Sequence, residues 1–200
     1  MDELALVENA KQGDLEAFNQ LILAYQQLAY NIALRYLSDP EAADDATQTA
    51  FISAYNHIRR FRGGSFKAWL LRIVTNACYD ELRRQKRRPI TALEPCSEND
   101  DQIENPAWLA DDAPLPEELA ETDELDRAVQ HCLDHLPDDF RMVAVLVDIQ
   151  GFDYQAVSKV VGKPLGTVKS RLARARDRLR DCLRGFRELL PQKYRLENEG

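Results

Sequence analysis

Residues 164–178 read P-L-G-T-V-K-S-R-L-A-R-A-R-D-R, and this stretch decides how the rest of the chain is read. Val168, Leu172, Ala175 and Leu179 recur at steps of three and four, which places them on one face of a helix. Lys169, Arg171, Arg174, Arg176 and Arg178 take the remaining surface. Pro164 suits a first helical turn, where its missing N–H leaves no bond unmade. Immediately upstream, residues 154–161 give a second short helical pattern that stops at Gly162. Two short helices joined by a tight, glycine-containing turn predict a helix-turn-helix, and an apolar back with a cationic front predicts contact with DNA.

The charge distribution agrees, although the net charge of −8 at first opposes it. Residues 89–126 hold 13 Asp and Glu and no Lys or Arg, so the other residues carry 26 basic against 21 acidic side chains, a net of +5. Nine Lys and Arg fall between Lys159 and Arg184, opposed only by Asp177 and Asp181. A cationic helix is often only a solvated face; one that follows a helix-turn-helix pattern is better read as a DNA contact. In the major groove, side chains near the N-terminus of such a helix read bases. Lys169, Ser170, Ala173 and Arg174 occupy that leading surface, while Arg171, Arg176 and Arg178 are placed for phosphates and neighbouring helices.

Upstream, residues 1–88 read as four helices. A short one ends at Gly13; Asp14 caps the second; Asp39-Pro40 starts the third; Ser65 caps the fourth after the loop F-R-G-G. No segment alternates as a strand does, so the fold class is all-α. Residues 89–121 change character, with five prolines, dense acid and few large apolar side chains, and read as a flexible acidic linker; Trp108 and Leu109 stand out in it. Residues 122–186 return to helical periodicity. The expected organisation is thus two small helical domains, residues 1–90 and 122–188, joined by an acidic linker at 91–121 and followed by a tail at 189–200.

A second basic cluster runs from Arg59 to Arg88, with ten Lys and Arg and the aromatics Phe61, Phe66, Trp69 and Tyr79 among them. Phe66 and Trp69 sit at core spacing, whereas Arg72 and Asn76, one turn apart, are candidates for touching an unstacked base. A third feature is Asp44-Asp45-Ala46-Thr47-Gln48-Thr49-Ala50-Phe51, whose acids also suit a helix N-terminus.

Taken in order, three motifs resemble the extracytoplasmic-function (ECF) group of bacterial sigma factors in the sigma-70 family. D-D-A-T-Q-T-A-F is similar to the polymerase-binding helix, F-R-G-G-S-F-K-A-W-L-L-R-I-V-T-N to the segment that opens and reads the −10 element, and residues 151–176 to the −35 reader. The resemblance implies a four-helix region 2 domain and a helix-turn-helix region 4 domain. It implies that Asp44, Asp45, Gln48 and Phe51 engage, or support engagement of, the clamp coiled coil of the largest polymerase subunit. It assigns Arg62, Ser65, Arg72 and Asn76 to the −10 element, and Lys169, Ser170, Arg171, Ala173 and Arg174 to the −35 element. The implied partners are core RNA polymerase (clamp coiled coil and flap), promoter DNA and an anti-sigma protein. The linker is expected to occupy the polymerase cleft until RNA displaces it.

Other expectations follow from composition and spacing. No 18-residue apolar run exists, so direct membrane insertion is not expected, and the N-terminus is unlike a secretory signal. Cys78, Cys96, Cys132 and Cys182 form no C-x-x-C pair and are expected to be reduced thiols of a cytoplasmic, monomeric protein. His131-Cys132-x-x-His135 spaces two histidines one turn apart, but Cys132 falls on the apolar stripe and no fourth ligand is near, so no metal or other cofactor is expected. Two other functions compete with transcription initiation: a helix-turn-helix regulator binding an operator without polymerase, and an enzyme using Asp44 and Asp45. The second lacks any nucleophile, phosphate loop or metal constellation, and the chain is expected not to be an enzyme.

Overall fold

The computed structural model describes residues 2–87 and 116–189, with residues 116–123 described by their backbone only. The linker up to Leu115, with Trp108, Leu109 and Cys96, and the tail beyond Leu189 lie outside the described residues. Those described are helical, with no strand among them. Helix α1 spans Glu3–Lys11, α2 Leu15–Leu37, α3 Pro40–His57 and α4 Phe66–Arg87. Helix α5 spans Pro116–Asp134, α6 Asp138–Ala144, α7 Tyr154–Val161 and α8 Leu165–Leu183.

The local chemistry that starts each helix is visible. Asp2, Asp14 and Asp39 sit in extended conformation and accept from the backbone N–H of Ala5, Ala17 and Ala42, satisfying donors that a helix start leaves free. Ser65 Oγ accepts from Ala68 N–H at 3.1 Å at the start of α4. Pro164 differs slightly from expectation: it is the residue before α8 rather than its first turn. Helix α5 differs more. It begins at Pro116, six residues inside the stretch expected to be linker. Pro116 followed by Glu117 and Glu118 is a good helix opening, and the acidic, proline-rich composition around it hid that signal.

Between α6 and α7 the helix widens over Val145–Ile149, where Gln150 N–H reaches back five residues to the Val145 carbonyl at 2.9 Å. This adds a residue to one turn and lets a nearly continuous apolar run, Met142 to Leu146, be buried throughout.

The first four helices build two adjoining cores. Val7, Phe18, Leu21, Ile58, Phe61, Phe66 and Leu70 form one. Tyr36, Leu71, Val74 and Cys78 belong to the other, and that cluster continues without interruption into Leu133, Met142, Leu146, Val160, Val168 and Leu172 of the second half. The two halves, expected to be separate units, are therefore packed on each other. The chain crosses this seam with specific polar contacts. Arg141 of α6 is buried and donates to the Tyr36 carbonyl at 2.9 Å and to the Asp134 carbonyl. Those carbonyls lie in the last turns of α2 and α5, so one guanidinium closes a helix C-terminus from each half, where a cation is favoured. Arg35 pairs with Asp126, Gln130 Nε2 donates to the Arg35 carbonyl at 3.1 Å, and Lys86 meets Asp138 at 2.8 Å. Ser38, the one non-glycine described residue with positive φ (61°), ends α2 and donates its hydroxyl to Asp134.

The cysteines also depart from expectation. Cys132 on α5 and Cys182 on α8 are joined by a disulfide, with Cα atoms 5.7 Å apart and a separation of 50 positions in sequence. Spacing along the chain gave no hint of this pairing, because it depends on the C-terminal turn of α8 folding back against α5. Cys78 is a buried free thiol.

Candidate nucleic-acid interface

The helix-turn-helix is built by α7 and α8. Asp153 accepts from Gln155 and Ala156 N–H, both at 2.8 Å, and starts α7. Gly162 stops it in left-handed conformation (φ 63°), which favours glycine, and Ser158 Oγ donates to the Lys163 carbonyl at 2.6 Å to brace the turn. Val157 and Val160 of α7 and Val168, Leu172 and Ala175 of α8 are buried, so the opposite face of α8 must point outward. Lys169, Ser170, Ala173 and Arg174 are all exposed on that face.

The other cations of α8 are already engaged. Arg171 is half-buried and pairs with Asp139 of α6. Arg176 pairs with Asp148 at 2.6 Å, and this hydrogen bond raises its pKa above the ordinary value. Arg178 lies 5.6 Å from the Phe140 ring. Among the described residues Arg174 points outward without such a tie to another helix, whereas Arg171 anchors α8 to its own domain.

The second basic cluster forms a cleft of about 450 Å³ at the start of α4. Gly63 and Gly64 turn the loop with φ of 94° and 92°, a conformation that side chains rarely adopt. Phe61 and Trp69, with ring centroids 5.3 Å apart, form an aromatic floor, and the buried Phe66 packs behind them with its centroid 6.0 and 5.6 Å from theirs. Arg60, Arg62 and Arg72 line the cleft over this floor. Arg62, Ser65, Arg72 and Asn76 are exposed, but Asn76 is not among the residues lining the cleft; Phe66 packs inward, as its core spacing required, whereas Trp69, at the same spacing, is half-buried and lines the cleft. A cationic rim over an aromatic base suits an unstacked nucleotide.

Lys159 of α7 also lines this cleft, and Lys67 of α4 stands 4.5 Å from the Phe152 ring. Sequence reasoning missed Lys159 because nothing in the chain marks α7 as a neighbour of α4. A Cβ placed on Gly162 would lie 3.3 Å from Arg72 Nη2, so the turn of the helix-turn-helix rests against the cleft.

On α3, Asp44, Asp45 and Gln48 are exposed, and Phe51 is half-buried, packed against both cores of the first four helices. Asp45 lies 3.5 Å from Arg84 of α4. Ile52 (62 % exposed) and Tyr55 (45 %) follow Gln48 at helical spacing and extend the stripe by two turns; the sequence reading singled out neither. Among the described residues no group of His, Cys, Asp and Glu could hold a metal ion, and no helix is long and apolar enough to cross a membrane.

With this geometry in place, comparison with known proteins is direct. The family model for Sigma-70 region 2 matches residues 21–88, and that for Sigma-70, region 4 matches residues 126–179. The RNA polymerase sigma-H factor of Pseudomonas aeruginosa is 34 % identical over 184 residues, covering 89 % of this chain and 92 % of that protein. The chain belongs to the ECF sigma factors. The ECF RNA polymerase sigma-E factor of Escherichia coli, 35 % identical over 182 residues, covers 88 % of this chain and 92 % of its own length. Among solved structures, CnrH in complex with the cytosolic domain of CnrY is similar with a TM-score of 0.65 and 27 % identity, covering 92 % of this chain and 97 % of that one. The sigma factor RpoE of Bartonella quintana, in complex with the anti-sigma factor NepR, gives a TM-score of 0.62 and 25 % identity, covering 84 % and 98 %. The first four helices and the helix-turn-helix half of this ECF sigma factor thus carry the two regions of the sigma-70 family.

Proposed function

We propose that this sigma factor binds core RNA polymerase through the exposed stripe of α3 and directs initiation at promoters carrying −10 and −35 elements. Asp44, Asp45 and Gln48, supported by Phe51 from beneath, present the contact for the clamp coiled coil, while the region 4 half reaches the flap. Arg62, Ser65, Arg72 and Asn76 hold an extruded −10 base over the aromatic floor and so aid strand opening. Lys169, Ser170, Ala173 and Arg174 read the −35 element in the major groove. Arg171 contributes by fixing α8 on α6. On this reading region 2 occupies residues 1–90, the acidic linker 91–121 and region 4 residues 122–188, supported by family matches that fall inside the two regions at 21–88 and 126–179.

The observation that carries this reading is the presence, in one chain, of two cationic surfaces of different kinds. One is a convex helix face suited to a duplex groove; the other is a cleft suited to a single unstacked base. An operator-binding regulator needs the first and has no use for the second.

Packing of the two halves sets a further requirement. About 25 base pairs of B-form duplex between the two elements span about 85 Å. A compact chain of this length has a radius of gyration of about 17 Å, hence a diameter of about 43 Å. The packed arrangement is too small to read both elements at once, so the halves must part on polymerase. Residues 88–115 can reach about 95 Å when fully extended, enough for that separation. The packed arrangement is consequently a resting form. The similar sigma factor RpoE of Bartonella quintana is solved in complex with the anti-sigma factor NepR, which supports an anti-sigma partner here.

The test is in vitro transcription with core polymerase over a promoter library. Transcripts that depend jointly on a −10 and a −35 sequence are expected. Tight duplex binding by the free chain, with no stimulation of core polymerase, would overturn the proposal in favour of an operator-binding regulator.

A further inference from the structure

We infer that Cys132 and Cys182 form a reversible thiol–disulfide exchange site that takes low-molecular-weight thiols and disulfides, and whose state sets how firmly α5 is held at the seam between the two halves. Two observations place the site. The cysteines come from opposite ends of the region 4 half and meet with Cα atoms 5.7 Å apart, within the range a disulfide needs. They are also unequal: Cys132 is 1 % exposed, while Cys182 in the last turn of α8 is only partly buried. A small reagent therefore reaches the Cys182 sulfur and not the Cys132 sulfur.

That inequality orders the chemistry. On oxidation, the Cys182 thiolate attacks one sulfur of a small disulfide, forms a mixed disulfide and releases one thiolate, which takes up a proton. Cys132 then gives up its proton and attacks the Cys182 sulfur, forming the protein disulfide and releasing the second small thiol. Two protein thiols are oxidised to one disulfide, and one small disulfide is reduced to two thiols. Reduction runs the same steps backwards, with attack at Cys182. Cys78 takes no part, since it is fully buried within the first half and burial pushes its thiol up to about 12.

The consequence follows from what else α5 touches. The helix that carries Cys132 also carries Asp126, Gln130 and Asp134, which meet Arg35 and Ser38 at the end of α2. In the oxidised form α8, α5 and the end of α2 are linked in series, one link being covalent. In the reduced form the covalent link is gone, and among the described residues burial of Ala128 and Leu133, the His131–Phe186 ring contact and polar contacts remain to hold α5. Reduction thus loosens the element on which the packed arrangement depends.

The full chain, equilibrated with oxidised or with reduced glutathione, is alkylated, digested and mapped by mass. A Cys132–Cys182 cross-linked peptide is expected after oxidised glutathione, and two alkylated cysteines after reduced glutathione. In Cys132→Ser, glutathione is expected to accumulate on Cys182; in Cys182→Ser, Cys132 is expected to stay unmodified in the folded chain. Amide exchange over residues 124–136 is expected to be at least tenfold faster in the reduced form. Equal glutathione labelling of the two cysteines without a cross-link, or identical exchange of α5 in both states, would overturn the inference. The second readout uses the unmutated chain, so it stands even where a variant fails to fold.

Discussion

Replacing Arg141 by alanine is expected to part the two halves while leaving each folded. The guanidinium donates to the Tyr36 carbonyl of the first half and to the Asp134 carbonyl of the second, and stands 5.7 Å from the Tyr36 ring. A hydrogen bond from a charged donor contributes about 1.5–3 kcal/mol, and a desolvated cation over an aromatic ring up to about 2 kcal/mol. Against this, the side chain is buried and its Nε has no partner among the described residues, so removing it also relieves a desolvation penalty. A net loss of about 2 kcal/mol at the seam is the outcome of these opposed terms, roughly a thirtyfold shift from packed to parted chain. Small-angle scattering reads this directly, as a rise of several ångströms over the radius of about 17 Å expected for the compact form. Far-UV circular dichroism should stay unchanged. Lys86→Ala is the control: its contact with Asp138 is exposed on both sides, and such pairs contribute well under about 1 kcal/mol. An unchanged radius in Arg141→Ala, or an effect no larger than that of Lys86→Ala, would refute the idea that Arg141 fastens the seam.

Three further outcomes are expected. Among the described residues the Tyr36 hydroxyl is buried without a hydrogen-bond partner, so Tyr36→Phe removes an unsatisfied group and should leave the melting temperature unchanged or raise it by about 2–4 °C. Burial raises the pKa of Cys78 from 9.0 and of Tyr25 from 10.0, each to about 12, with Glu3 adding to the effect on Tyr25, and it raises Tyr36 and Tyr79 as well. The unfolded chain then loses these protons first, so stability is expected to be fully present below about pH 9 and to decline as the pH rises toward 12, seen as a falling urea midpoint. Arg174→Ala should lose about 1–3 kcal/mol of discrimination at one −35 position in a promoter library, whereas Arg171→Ala should weaken all promoters alike, because Arg171 acts through Asp139.

What the sequence disclosed was whatever is encoded within a turn or two of chain. The limits of α7 were readable because Asp153 and Gly162 punctuate an unambiguous period, and the outward set of α8 followed from its apolar face. The glycine pair at 63–64 announced a loop for the same local reason. Contacts between distant segments left no such trace. Arg141 reads as one more charged residue of a helical segment, yet its partner is 105 residues away. Cys132 and Cys182 read as two isolated thiols until α8 is laid against α5. Phe51, implied as a polymerase contact, is half-buried and packed against both cores of the first four helices, which its place in one motif did not announce. Lys159 became part of the aromatic cleft only because the seam brings α7 there.

The seam also has a property that no inspection of its contacts reveals. Its two sides belong to one chain, joined by the 28 positions between Arg87 and Pro116. Covalent geometry caps the span of those positions at about 95 Å, so one half is always presented to the other at an effective concentration on the order of 1 mM. Surfaces that would associate with a dissociation constant of about 1 mM as separate proteins are then shut about half the time, and each further 1.4 kcal/mol makes closure tenfold more complete. Polymerase or an inhibitor therefore competes with a neighbour that never diffuses away, although that neighbour need not bind tightly. Cut between Arg87 and Pro116 and diluted to micromolar concentration, the same two surfaces would drift apart unless their affinity were itself micromolar or better.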